Sequence, residues 1–202
     1  MATQTIRPIR ETRRRTPTDP RPASPLAIVA LCGSLRSASI NAALLRIAAR
    51  LAPSDVQIAI HPPLGELPLF NPDLDAALPA AAARLHAAVA GADALLIASP
   101  EYAHGVSGTI KNALDWLVSF EPFVGKPVAV LNASPRAHHA DDALRETLRT
   151  MSATLVGETS FAIPLLGARL DEESMAASGE VAALVGRVLA ALRAEIETRR
   201  RH

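Results

Sequence analysis

Apolar positions along this chain follow two rhythms. Short continuous runs at 26–32 (LAIVALC), 56–60 (VQIAI), 94–99 (ALLIAS) and 127–133 (PVAVLNA) read as strands buried in a sheet, with a weaker run near 156–163. Between them, apolar residues recur at helical spacing. Over 39–51, Ile40, Leu44, Ile47, Ala48 and Leu51 share one stripe, and further helices are predicted at 79–90, 106–120, 139–155 and 172–197. A Pro-rich loop, HPPLGELPLFNPDLD, follows the second strand. Strands alternating with helices predict an α/β domain: a five-stranded parallel sheet with helices on both faces, without repeats or a second domain. If the strand order is 2-1-3-4-5, it reverses between the first and third strands. A ligand would then sit beyond their carboxyl ends, against loops 33–39 and 100–106. These are also the two loops of most unusual composition.

Composition narrows the class. The chain has 202 residues, 49% of them hydrophobic, which suffices for one domain with a full core. No run reaches the roughly 18 apolar residues of a membrane span, and no apolar leader core opens the chain. One cysteine, Cys32, excludes an internal disulfide framework and fits a reducing cytoplasm. The net charge of +1 hides an asymmetry: residues 1–25 carry six arginines against Glu11 and Asp19, while 26–198 sum to −6. Five prolines interrupt the same 25 residues, so a disordered Arg/Pro-rich tail is expected there, with the folded domain over 26–198. No aromatic residues are interleaved with those arginines, which argues against nucleic-acid binding.

The first loop reads GSLRSASIN. Gly33 permits a sharp turn and close approach to the backbone. Ser34, Ser37 and Ser39 offer hydroxyls, Arg36 a planar cation, and Asn41 an amide, all at the start of a helix whose free N–H groups favour an anion. The patterns GxGxxG and GxxxxGK[ST] are absent, so a monophosphate suits the loop better than a dinucleotide or a triphosphate. Taken alone, the same residues also suit a serine-rich turn that caps a helix. The second loop, SPEYAHGVSGTIKNALDWL, sets Pro100, Gly105 and Gly108 beside Tyr102. Backbone amides there could meet the polar edge of a flat heterocycle. Trp116 and Phe120, four apart, read as helix core.

GSLRSASIN followed, about 60 residues later, by PEYAHGVSGTIKNALDW resembles the NADPH-dependent FMN reductase family of flavodoxin-like proteins. The resemblance covers about 26–195 and implies a flavodoxin-like three-layer fold. By position it implies that Ser34, Arg36, Ser39 and Asn41 hold the FMN phosphate. Pro100, Glu101, Tyr102, Ala103 and Gly105 would border the flavin ring, and Ser134 would approach it from the loop NASPRAHHADDALR. LPLFNPDLD also resembles a family segment. NADPH or NADH is the implied donor and a quinone, free flavin or similar small molecule the acceptor, in a cytoplasmic homodimer or homotetramer. Two departures stand out. Ala103 occupies a position where many members have asparagine, and Pro135, Arg136, His138 and His139 replace a stretch that is often glycine-rich.

Flavin chemistry requires no acid, base or nucleophile from the protein, so no catalytic side chain is expected. A strand–GxSxG–helix elbow is also missing around Ser99, Glu101 and His104. No metal site is expected at His138 and His139, because adjacent side chains on a helix diverge. Cys32 reads as a packed thiol. Phe120 and Phe123 stand at a helix exit where a lone domain is expected to expose one of them, a reason to expect self-association. A flavodoxin-like electron carrier, or an FMN-binding regulatory protein, is the alternative class.

Overall fold

The structure, a computed structural model, describes residues 25–134, 136–157, 161–163 and 172–201. The expected tail lies outside them except for Pro25. Strands β1 (Leu26–Cys32), β2 (Val56–Ile60) and β3 (Ala94–Ala98) alternate with helices α1 (Ile40–Leu51) and α2 (Ala80–Gly91). A small antiparallel hairpin, β4 (Glu101–Tyr102) and β5 (Gly105–Val106), precedes α3 (Gly108–Asp115). Then come β6 (Pro127–Asn132), α4 (His138–Thr150), β7 (Thr154–Leu155), β8 (Phe161–Ala162), α5 (Glu172–Ala177) and α6 (Gly179–Arg200).

The main sheet is parallel and runs β2-β1-β3-β6-β7, with β8 also paired to β6. The expected order 2-1-3-4-5 is therefore the observed one, and two short strands fill the fifth place. β7 pairs with the start of β6 and β8 with its end. Alternation along the strands splits the core into two layers. Ile28, Ala30, Leu96 and Leu131 face α1 and α6, whereas Val29, Leu31, Ile97 and Val130 face α2, α3 and α4. Every residue of β3 and β6 is buried, which is why both read as continuous apolar runs.

Several element ends differ from the sequence expectation, each for a local reason. The helix expected over 139–155 stops at Thr150. Ser152 turns left-handed (φ 61°) and the chain then joins β6 as β7. The helix expected over 106–120 starts only after Val106 has paired with Glu101 in the hairpin. The helix expected over 172–197 is split at Ser178, whose hydroxyl accepts from the Val181 N–H and begins α6 afresh. Leu51, placed on the buried stripe of α1, is exposed. Phe123 is buried, and Phe120 is half-buried with its ring stacked 4.0 Å from His86. Neither phenylalanine is exposed, contrary to expectation.

Candidate functional site

At the carboxyl ends of β1, β3 and β6 the loops that follow enclose an open cleft of about 680 Å³. Its walls include Ser34, Arg36, Ser39 and Asn41 from the first loop and helix, Ser99, Pro100, Glu101 and Tyr102 after β3, and Asn132 at the end of β6 with Ser134 and Arg136 after it. The structure thus brings together most of the residues singled out in the sequence. Ala103 and Gly105 are not part of this wall. Gly105 pairs with Tyr102, and Ala103 lies at the hairpin tip.

The first loop gathers hydrogen-bond donors at the start of α1. Ser39 caps α1: its hydroxyl accepts from the Ala42 N–H (3.2 Å), which leaves the hydroxyl proton free to donate. The Ile40 and Asn41 N–H groups, in the first turn of α1, have no intrahelical acceptor. No acidic residue occupies that turn. Asn41 is only 6% exposed, and its Oδ1 is buried without a hydrogen-bond partner. An unmatched buried amide oxygen costs about 1–3 kcal/mol, and rotating the amide presents a donor at the same place. Among the described residues, the Arg36 guanidinium has no ion-pair partner, although six other arginines do. Hydroxyl, amide, helix N–H groups and an uncommitted guanidinium form a donor set that fits a phosphate monoester.

The close approach expected at Gly33 is present. A Cβ on it would lie 2.2 Å from Ser99 Oγ and 2.7 Å from Ser99 Cβ. The groups that approach its backbone are therefore side chains of the second loop. Ser107, only 2% exposed, donates to the Gly33 carbonyl (2.8 Å), and its hydroxyl lies 3.1 Å from that of Ser99. Ser107 also accepts from the Ile110 N–H as the cap of α3. This buried serine pins the two loops together. Sequence reasoning missed it; its signal was a serine three residues before the first apolar position of α3.

Glu101 joins two loops through its carboxylate. One carboxylate oxygen accepts from the Ala140 N–H (2.9 Å) in the first turn of α4, and the other lies 3.2 Å from His104 Nδ1. Ala137, the residue just before α4, offers no side-chain cap, so Glu101 supplies one from another loop. That backbone N–H, with His104 adding to it, holds the Glu101 carboxyl below the usual glutamate range. The β6 loop is fixed from the other side. Asn132 Oδ1 accepts from the Ser134 N–H (2.9 Å), and its Nδ2 donates to the Ala137 carbonyl (3.2 Å). A polar side chain ending a buried strand was the available signal for Asn132.

The hairpin tip is strained. Ala103 (φ 49°) and His104 (φ 59°) are both left-handed, the backbone of a two-residue turn that usually selects Asn-Gly. His138 and His139 do not diverge as expected. Their rings lie 4.0 Å apart, with His104 4.5 Å from His139. The segment LPLFNPDLD (67–75) is tied to α3 and the residue after it. Asn112 and Trp116 both donate to the Pro68 carbonyl (2.9 Å), and Asn112 Oδ1 accepts from the Phe70 N–H (2.8 Å).

The family model described as NADPH-dependent FMN reductase matches residues 26–166, which include every loop of this cleft. The chain belongs to that family. An NAD(P)H-dependent FMN reductase of Pseudomonas aeruginosa is 41% identical over 112 residues, covering 54% of this chain and 60% of that protein. A quinone reductase of Escherichia coli K12 is 34% identical over 113 residues, with the same coverage of 54% and 60%. These matches thus span about three-fifths of those relatives' lengths. Among solved structures, FerB from Paracoccus denitrificans, a flavoenzyme NAD(P)H:(acceptor) oxidoreductase, is similar with a TM-score of 0.74 at 28% identity. That likeness covers 86% of this chain and 98% of FerB. Like the family, the chain has a flavodoxin-like α/β fold. No helix among the described residues is long and apolar enough to cross a membrane.

Proposed function

We propose that this FMN reductase family member is an FMN-dependent NAD(P)H oxidoreductase. It takes reducing equivalents from NADPH or NADH and passes them to a quinone, free flavin or similar small acceptor. One observation carries the reading. The three loops at the sheet's switch point enclose one cleft, lined by phosphate-type donors from the β1 loop and by Pro100, Glu101 and Tyr102 from the β3 loop. Family membership and the reductase names of the relatives support it.

In this reading Ser34, Arg36, Ser39 and Asn41 hold the FMN phosphate. The segment Pro100, Glu101, Tyr102, Ala103 and Gly105 borders the ring through its backbone, and Ser134 approaches from the β6 loop. FMN, when bound, supplies the two-electron transfer. The chain supplies position and charge. Glu101 and Ser107 fix the loops relative to one another, and no side chain is asked to move a proton. Tyr102 is 53% exposed at the mouth, so one open face serves donor and acceptor in turn. The setting is the cytoplasm, where reduced nicotinamide nucleotides are held.

Steady-state oxidation of NADPH and NADH with a quinone tests the proposal. Parallel double-reciprocal lines are expected, with FMN rather than FAD released on denaturation. If neither nucleotide reduces the FMN-loaded protein, the electron-carrier class takes over. Intersecting lines would remove the shared face.

The same reading includes a homodimer or homotetramer. Its support is apolar exposure on adjoining segments: Leu35 (58%), which lies against Gly65, with Leu69 (84%) and Val118 (58%), whose segments are joined by the Trp116–Pro68 bond. A monomer mass by light scattering at micromolar concentration would overturn it.

A further inference from the structure

Two cations line the cleft, Arg36 and Arg136, and among the described residues neither guanidinium has a carboxylate within ion-pair distance. The first is accounted for by one FMN phosphate, together with Ser34, Ser39, Asn41 and the start of α1. The second is left over. It belongs to the loop after β6, which is separated from β1 by β3. Two strand spacings, roughly 10 Å, therefore part the two loops at their roots. Arg136 is exposed, while its backbone is held: its N–H donates to Ser134 Oγ (3.3 Å), and the next N–H, of Ala137, donates to the Ser134 carbonyl (2.9 Å). Glu101 is the acidic side chain in the same wall, and its carboxylate is already engaged by the Ala140 N–H and His104. A guanidinium on a fixed backbone, in an open cleft and paired with no carboxylate among the described residues, suits an incoming phosphate.

Resting on the oxidoreductase reading above, we infer that Arg136 is the donor-recognition residue and binds a phosphate of the nicotinamide dinucleotide. That phosphate is either the 2′-phosphate found in NADPH or the diphosphate shared with NADH. FMN brings one phosphate to the cleft, so a second anion site beside the ring serves the molecule that must dock there next. Because the contact forms with the donor bound, whether or not electrons move, it lowers KM without raising kcat.

The test compares wild type, Arg136→Ala and Arg136→Lys as FMN-loaded proteins. Calorimetric titration with NADP⁺ and NAD⁺ reads binding, and stopped-flow flavin bleaching by NADPH and NADH reads turnover. Arg136→Ala is expected to weaken NADP⁺ and raise the donor KM by roughly five- to twentyfold, since the side chain is exposed. The limiting bleaching rate and the FMN affinity stay as in wild type, Arg136→Lys recovers part of the loss, and added salt narrows the gap. Loss for NADP⁺ alone assigns the 2′-phosphate, and equal loss for NAD⁺ assigns the diphosphate. Unchanged binding of both nucleotides, or an FMN affinity that falls in step, overturns the inference. Failure of the oxidoreductase reading looks different: wild type itself is then bleached by neither NADPH nor NADH.

Discussion

Replacing Gly33 by alanine tests how the two halves of the site are joined. The added Cβ would stand 2.2 Å from Ser99 Oγ, 2.7 Å from Ser99 Cβ and 2.9 Å from Ser107 Oγ. The Ser99 hydroxyl can rotate away, but its Cβ is fixed to the backbone at the end of β3, so one loop must shift. Such overpacking costs about 1–3 kcal/mol. The shift also breaks the Ser107–Gly33 bond, worth about 1 kcal/mol net. A loss of roughly 2–4 kcal/mol in apoprotein stability is expected, read as a lower urea midpoint at unchanged slope. FMN affinity should fall as well, because the displaced loop carries Ser34 and Arg36. The decisive variant is the double substitution Gly33→Ala with Ser99→Gly, which removes both of the closest contacts and leaves only the adjustable Ser107 hydroxyl. Most of the loss should return, giving a coupling of at least about 1 kcal/mol in the double-mutant cycle. A single variant as stable as wild type, or strictly additive effects, would refute the packing argument.

Other expectations follow from the same contacts. Arg36→Ala should weaken FMN by about 1.5–3 kcal/mol, roughly ten- to a hundredfold, while riboflavin, lacking the phosphate, binds almost as before. Paired fluorescence titrations with both ligands check this, and equal losses would mean that the loop holds something else. Ala103→Asn should stabilise the apoprotein by about 0.5–1 kcal/mol, because asparagine tolerates the left-handed backbone that alanine resists; thermal unfolding measures it. The folded-state pKa of Glu101 is depressed, so its contribution to stability is complete above the usual glutamate range and is lost as pH falls through the lower folded value. In Glu101→Gln that stretch of the acid-unfolding curve should flatten. A mutant curve parallel to wild type would show that the carboxylate charge contributes nothing to the α4 cap.

Local chemistry alone determined the layering of this protein, since runs such as LAIVALC and ALLIAS can be satisfied only inside a sheet covered on both faces. It also marked Ser34, Arg36, Ser39 and Asn41 as candidates to hold a phosphate, because hydroxyls, a cation and a helix start lie within a few consecutive residues, although the same residues suit a capping turn. The ring-bordering loop was legible as a resemblance more than as physics. Other features depended on partners distant in sequence. The resemblance sets Glu101 in the ring-bordering loop, but only the fold shows its carboxylate accepting from the Ala140 N–H, 39 residues on. Gly33 reads as a glycine for close approach, and only the packed loops show that Ser99 and Ser107 are what approaches it. Arg136 stood among several polar loop residues, and that it has no carboxylate partner among the described residues emerged only once the surrounding charges had been placed. Helix ends went the same way: periodicity carried α4 to residue 155, but pairing of Thr154 and Leu155 with Pro127 and Val128 recruited those residues to the sheet. Sequence patterns report what each segment must bury. Which polar group is matched across loops, and which is left open for a ligand, is decided only when the strands have brought those loops to one edge.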